Sequence, residues 1–185
     1  MRPVLASLIV VVLGAAAACS ATISSPASSE IARDSVADFQ TDSLVYTFRA
    51  TDVSYEGRIG VQFTNKTDGT AYFVNCAGAT NVGPQKLVDG VCQAVWAPIL
   101  PACLTSPIVV ARGGQFDLGF SVFGGFPGCN CAPQFSIANI AGVYRAVWPN
   151  ALSSYQPQLP FGVPLPEEHR VSNRFVIAVQ SRSGG

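Results

Sequence analysis

The side chains able to do covalent, redox or metal chemistry are few: six cysteines and one histidine in 185 residues. The cysteines are Cys19, Cys76, Cys92, Cys103, Cys129 and Cys131, without the paired Cys-x-x-Cys knuckles that bring four zinc ligands into tetrahedral reach. A copper site on a β scaffold needs two His, a Cys and normally an axial Met; the chain offers His169 and only the initiator Met1. Asp52, Glu56, Asp68 and Asp89 fall near strand ends, but no clustered Asp/Asn loop gathers them around calcium. His169, in Pro-Glu-Glu-His-Arg, would serve as a general base only with an orienting acid and a nearby serine. No Gly-x-Ser-x-Gly elbow, His-Glu-x-x-His helix or glycine-rich phosphate loop accompanies it, so it reads as a solvated loop histidine. The sequence assigns no catalytic residue, no metal ligand and no cofactor.

The elements that would position these residues begin with a leader. Arg2 precedes an apolar run over residues 4–13, and then come Gly14, four alanines and Cys19. That order predicts a secretory signal peptide over residues 1–18. A cysteine directly after small residues resembles the lipobox of bacterial lipoproteins, although Ala16 stands where that family most often has Leu. The resemblance implies cleavage before Cys19, acylation of its thiol and new amino group, and anchorage to a membrane of the cell envelope. Ser20 at the following position implies the outer membrane in a Gram-negative host. Ordinary cleavage at the same alanines would instead give a soluble secreted protein. Residues 19–43, rich in Ser and Ala, read as a flexible tether, and residues 182–185 as a short tail.

Export makes disulfides the expected state of the cysteines. With Cys19 lipidated, five remain, enough for two bridges and one leftover thiol. Cys76 and Cys103 border the central strands and are the preferred pair, a bridge contributing roughly 3 kcal/mol. Cys92 then pairs with Cys129 or Cys131. The alternative, Cys129 bridged to Cys131 across Asn130, closes a small strained loop that would be easy to reduce and so suited to a redox role.

Only 12% of residues are charged and the formal net charge is zero, so there is no basic surface for nucleic acid. The apolar residues come in short alternating runs broken by 17 Gly and 13 Pro, which is a β pattern. Ile59, Val61 and Phe63 alternate with Arg58, Gly60, Gln62 and Thr64, and the Lys-Thr-Asp-Gly run at 66–69 predicts a hairpin back through residues 70–76. Asp89-Gly90 predicts a second hairpin, and Arg112-Gly113-Gly114 a third. With strands over residues 44–50, 142–148 and 173–180, about nine strands result, and the expected fold is an all-β sandwich of two antiparallel sheets over residues 44–181. Asn65-Lys66-Thr67 also matches an N-glycosylation acceptor.

Gly142-Val143-Tyr144 opening the penultimate strand resembles the tyrosine corner of immunoglobulin-like domains. Together with the FTNKTDGTAYFVNC and SNRFVIAV segments, it resembles bacterial Ig-like domains of envelope proteins. The resemblance implies an Ig-like sandwich in which the Tyr144 hydroxyl bonds back to nearby backbone. The Cys–Trp–Cys core of antibody domains is not reproduced. Between the last two strands, residues 149–170 carry five prolines with Tyr155, Leu159 and Phe161. Proline limits the freedom of this loop, which suits it to binding a protein partner; equally, these side chains would cover an open sheet edge. The glycine-rich loop at 124–134 is open to the same two readings. The expectation is a non-catalytic, membrane-tethered module with a structural or protein-binding role in the envelope. Its rival is a protease inhibitor that inserts an extended loop into a cleft.

Overall fold

The computed structural model describes residues 36–99 and 105–180. The expected leader, Cys19, Cys103 and the tail lie outside the described residues. In chain order the strands are β1 (Phe39–Thr41), β2 (Val45–Ala50), β3 (Ser54–Thr64), β4 (Ala71–Phe73), β5 (Asn75–Cys76), β6 (Ala79–Thr80) and β7 (Gly83–Val88). They continue with β8 (Val91–Ala94), β9 (Ile108–Val110), β10 (Gln115–Gly125), β11 (Gly142–Val147), β12 (Ala151–Leu152) and β13 (Phe175–Gln180), with one 3-10 turn at Glu167–His169. The strands missing from the sequence reading, such as β1, β6 and β12, are two or three residues long. Elements that short show no periodicity.

The largest sheet has eight strands, ordered β1-β3-β2-β13-β11-β7-β8 with β10 also on β3. β3 is its spine. β10 pairs along its whole length, from Gln115↔Thr64 to Gly125↔Ser54. Its other edge is shared by β1 (Phe39↔Phe63) and β2 (Arg49↔Glu56). The alternation along β3 is realised: Ile59, Val61 and Phe63 are buried, while Arg58 and Gln62 face solvent. β13 runs parallel to β2, with Val176 beside Val45, so the sheet is mixed rather than antiparallel throughout. No tight turn joins these two strands, and nothing local forces them antiparallel.

Two of the three expected hairpins do not form. β4 leaves β3 and pairs with β9 and β12 in a second, three-stranded sheet. Likewise β9 lies in that sheet while β10 returns to β3. The two crossing turns are locked together by Asn65. Its backbone N–H donates to Gly114 O at 2.9 Å, and its carbonyl accepts from Gly113 N at 2.8 Å. Its buried side-chain amide donates to Gly69 O and Val110 O, while Oδ1 accepts from Thr67 N and Oγ1. The second hairpin is present: Val88 pairs with Val91 across Asp89 and Gly90, both at positive φ as a type I′ turn requires.

Rings join the sheets. Phe73 of β4 lies 4.9 Å from Phe63 and 6.0 Å from Phe39, in edge geometry, and Trp148 stacks on Phe39 at 4.1 Å. Phe39 is fully buried, so the expected tether through residue 43 ends earlier: β1 belongs to the folded domain. Tyr144, stacked 6.0 Å from Phe175, donates its hydroxyl to Ile140 O at 2.6 Å, four residues upstream.

Candidate functional site

Residues 151–165 turn the long proline-rich loop into an ordered hairpin. Ala151 and Leu152 pair with Phe73 and Tyr72 of β4, which fixes its base to the small sheet. Leu165 N donates to Ala151 O at 2.9 Å, Ser153 N to Val163 O at 2.8 Å and Gln156 N to Phe161 O at 2.8 Å. The Gln156 side-chain amide closes the tip by donating to Pro160 O. Gly162, at φ 147°, passes so close to Ser154 that a Cβ there would overlap the Ser154 carbonyl. A residue with a side chain could not complete this ladder.

The three predicted contact residues separate on this frame. Tyr155 stacks over Tyr72 of the central strand β4 at 6.4 Å, against a face of the small sheet and not an open edge. Phe161 is half-buried. Leu159 sits at the tip with 78% of its surface exposed. Val163 on the returning arm is 60% exposed, and Val109, directly across from Tyr72 on β9, is 58% exposed. Tyr72 and Val109 were missed by the sequence reading. Each occupies the outward position of a three-residue strand, where only the pairing register places them beside the hairpin.

The four cysteines among the described residues are oxidised. Cys129 bridges Cys131, with Cα atoms 5.3 Å apart, so neither is the partner expected for Cys92. The loop brings them together because it folds back over the end of β10: Gly125 N donates to Pro133 O and Phe135 N to Gly125 O, both at 3.0 Å. Cys76 and Cys92 are disulfide-bonded as well. Cys103, the expected partner of Cys76, lies outside the described residues.

His169 has the orienting acid that a general base needs. Its Nδ1 lies 3.0 Å from Oδ2 of the buried Asp38, which also accepts from Lys66 N at 3.3 Å. The serine is lacking among the described residues. Ser172, the nearest in sequence, donates to Asn173 O and accepts from Ala146 N instead. The pair therefore fastens the Glu167–His169 turn to the start of β1. Of the acids weighed for calcium, Asp68 pairs with Arg112 and Glu56 with Arg49. Among the described residues no three acidic, His or Cys side chains gather into a metal-binding group. Nor is any helix among them long and apolar enough to cross a membrane.

No family model, curated protein or solved structure matches the chain. The arrangement itself must carry the functional reading: a backbone-locked hairpin with an exposed apolar tip, standing on a small sheet with an exposed apolar edge.

Proposed function

We propose that this chain is an exported, membrane-tethered Ig-like β-sandwich whose hairpin over residues 151–165 binds a protein partner in the cell envelope, a role that needs no catalysis. The observation that carries the binding role is the hairpin over residues 151–165. Its backbone is bonded across both arms, yet its tip presents Leu159 at 78% exposure with Val163 below it. A segment already ordered loses little conformational freedom on association, so its exposed apolar surface converts more fully into affinity. The Ig-like reading is supported by two sheets meeting through Phe39, Phe63 and Phe73, by turns that cross between them, and by the Tyr144–Ile140 bond. The disulfides of Cys76, Cys92, Cys129 and Cys131 fit an oxidising compartment. The leader and Cys19 supply the tether in this reading, which mass analysis of the mature N-terminal peptide tests directly.

The binding role is tested by photo-crosslinking in the native host, with the probe at Leu159 or Val163 and a control probe at Val91 in β8. A discrete protein adduct is expected from the hairpin positions and not from Val91. Its identity separates envelope assembly from protease inhibition. Adducts absent at Leu159, or the same at all three positions, would defeat the hairpin as a binding site.

A further inference from the structure

The Cys129–Cys131 bridge is poorly placed to act as a staple. It spans two residues of sequence and ties no two elements together, so it removes little freedom from the unfolded chain. The loop around it is already held by other means. Gly125 bonds to Pro133 and Phe135, Ser136 N donates to Val95 O at 3.0 Å, and Phe126 packs against Tyr55 at 4.8 Å. Gly128 N donates to the Gln134 side chain at 3.2 Å. Phe135, buried, anchors the far end against Gly124. Opening the sulfur–sulfur bond would leave each of these contacts in place.

The bridge is also accessible from one side only. Both sulfurs rest on Gly125, where a Cβ would overlap them, so the sheet end forms a flat floor beneath the pair. Above it Cys131 is exposed, while Cys129 is half-buried and its N–H is bound to Phe126 O at 3.1 Å. An incoming thiol therefore reaches Cys131 first.

We propose that Cys129–Cys131 is a thiol–disulfide exchange site whose substrates are protein dithiols. A substrate thiolate attacks Cys131 Sγ, a bond forms between those sulfurs, and the Cys131–Cys129 bond breaks. The electron pair leaves on Cys129, which takes a proton from water. The second substrate thiol, once ionised, then attacks the mixed disulfide at its own sulfur, and Cys131 departs as a thiolate and is protonated. Two electrons and two protons pass from the substrate dithiol to the bridge, and the substrate leaves as a disulfide. This activity is independent of the hairpin at 151–165.

The test equilibrates the intact protein with graded mixtures of reduced and oxidised glutathione, traps thiols by alkylation and maps them by mass spectrometry. Cys129 and Cys131 are expected to be half-reduced in mixtures at least about tenfold less reducing than Cys76 and Cys92 require. Near-UV circular dichroism should stay native across that range. A reduced Cys-x-x-Cys peptide mixed with the oxidised protein should become oxidised as the bridge opens, in equal amounts. The double variant Cys129→Ser/Cys131→Ser should lose that transfer while keeping its Tm within about 2 °C. Reduction only together with Cys76 and Cys92, loss of the near-UV signal on opening, a peptide that stays reduced, or a double variant that unfolds would each overturn the proposal.

Discussion

Asn65 uses both amide protons and its side-chain oxygen inside the protein, with about 1% of its surface exposed. Asn65→Ala takes the side-chain donor from Val110 O and the side-chain acceptor from Thr67 N, leaving Thr67 Oγ1 and Gly69 O only each other, and is expected to cost about 3 kcal/mol, read from the urea midpoint. Asn65→Asp should cost at least as much, because it sets a carboxylate oxygen against Gly69 O and Val110 O. The same burial removes the acceptor triplet at 65–67 from use: the nitrogen a glycan would need is already a donor, and the folded domain should show no added mass there when expressed in a glycosylating host. Tyr46 makes a pH prediction. Burial and the adjacent Asp42 carboxylate push its hydroxyl up to about 12, and burial also raises that of Tyr144. Between about pH 10 and 12 the unfolded tyrosine has released its proton and the folded one has not, so the native state binds more protons and stability falls as pH rises. The loss should approach about 1.4 kcal/mol per pH unit for each tyrosine. Tyr46→Phe should flatten that decline in denaturation curves at alkaline pH and leave its slope near neutrality unchanged.

At the scale of elements, β1 decides where the domain starts. Phe39 is fully buried between Phe63 and Trp148, and Phe39→Ala should cost about 3–5 kcal/mol. A truncation beginning at residue 36 should fold cooperatively, and one beginning at residue 44 should show no sharp thermal transition. The sequence concealed this because a single buried aromatic in a Ser/Ala-rich stretch has no periodicity to announce a strand. By contrast β3, β7, β8, β11 and β13 were legible, since alternation and the Asp89-Gly90 turn are local signals. The turns at 66–69 and 112–114 were misread for a related reason. Their residues suit a hairpin and a sheet-crossing turn equally, and the choice between them is made by bonds from Asn65 to residues 110, 113 and 114. The candidate site followed the same pattern. Prolines marked the hairpin, whereas Tyr72 and Val109 reached it only through strand pairing.

Over the whole molecule, strands far apart in sequence are neighbours: β2, beginning at Val45, lies beside β13, ending at Gln180. Contacts this distant in sequence form slowly, because almost the entire chain must close as a loop before they are rewarded. The domain is expected to refold on the millisecond-to-second scale or slower. Deleting residues 175–180 should abolish cooperative folding, since β2 and β11 would both lose a partner strand. For a chain made from its N-terminus onward, this pairing acts as a timer. The sheet stays open until β13 has left the ribosome and cleared its exit tunnel. The earlier strands remain accessible through that interval to whatever meets the chain during synthesis, without a separate factor to hold them open.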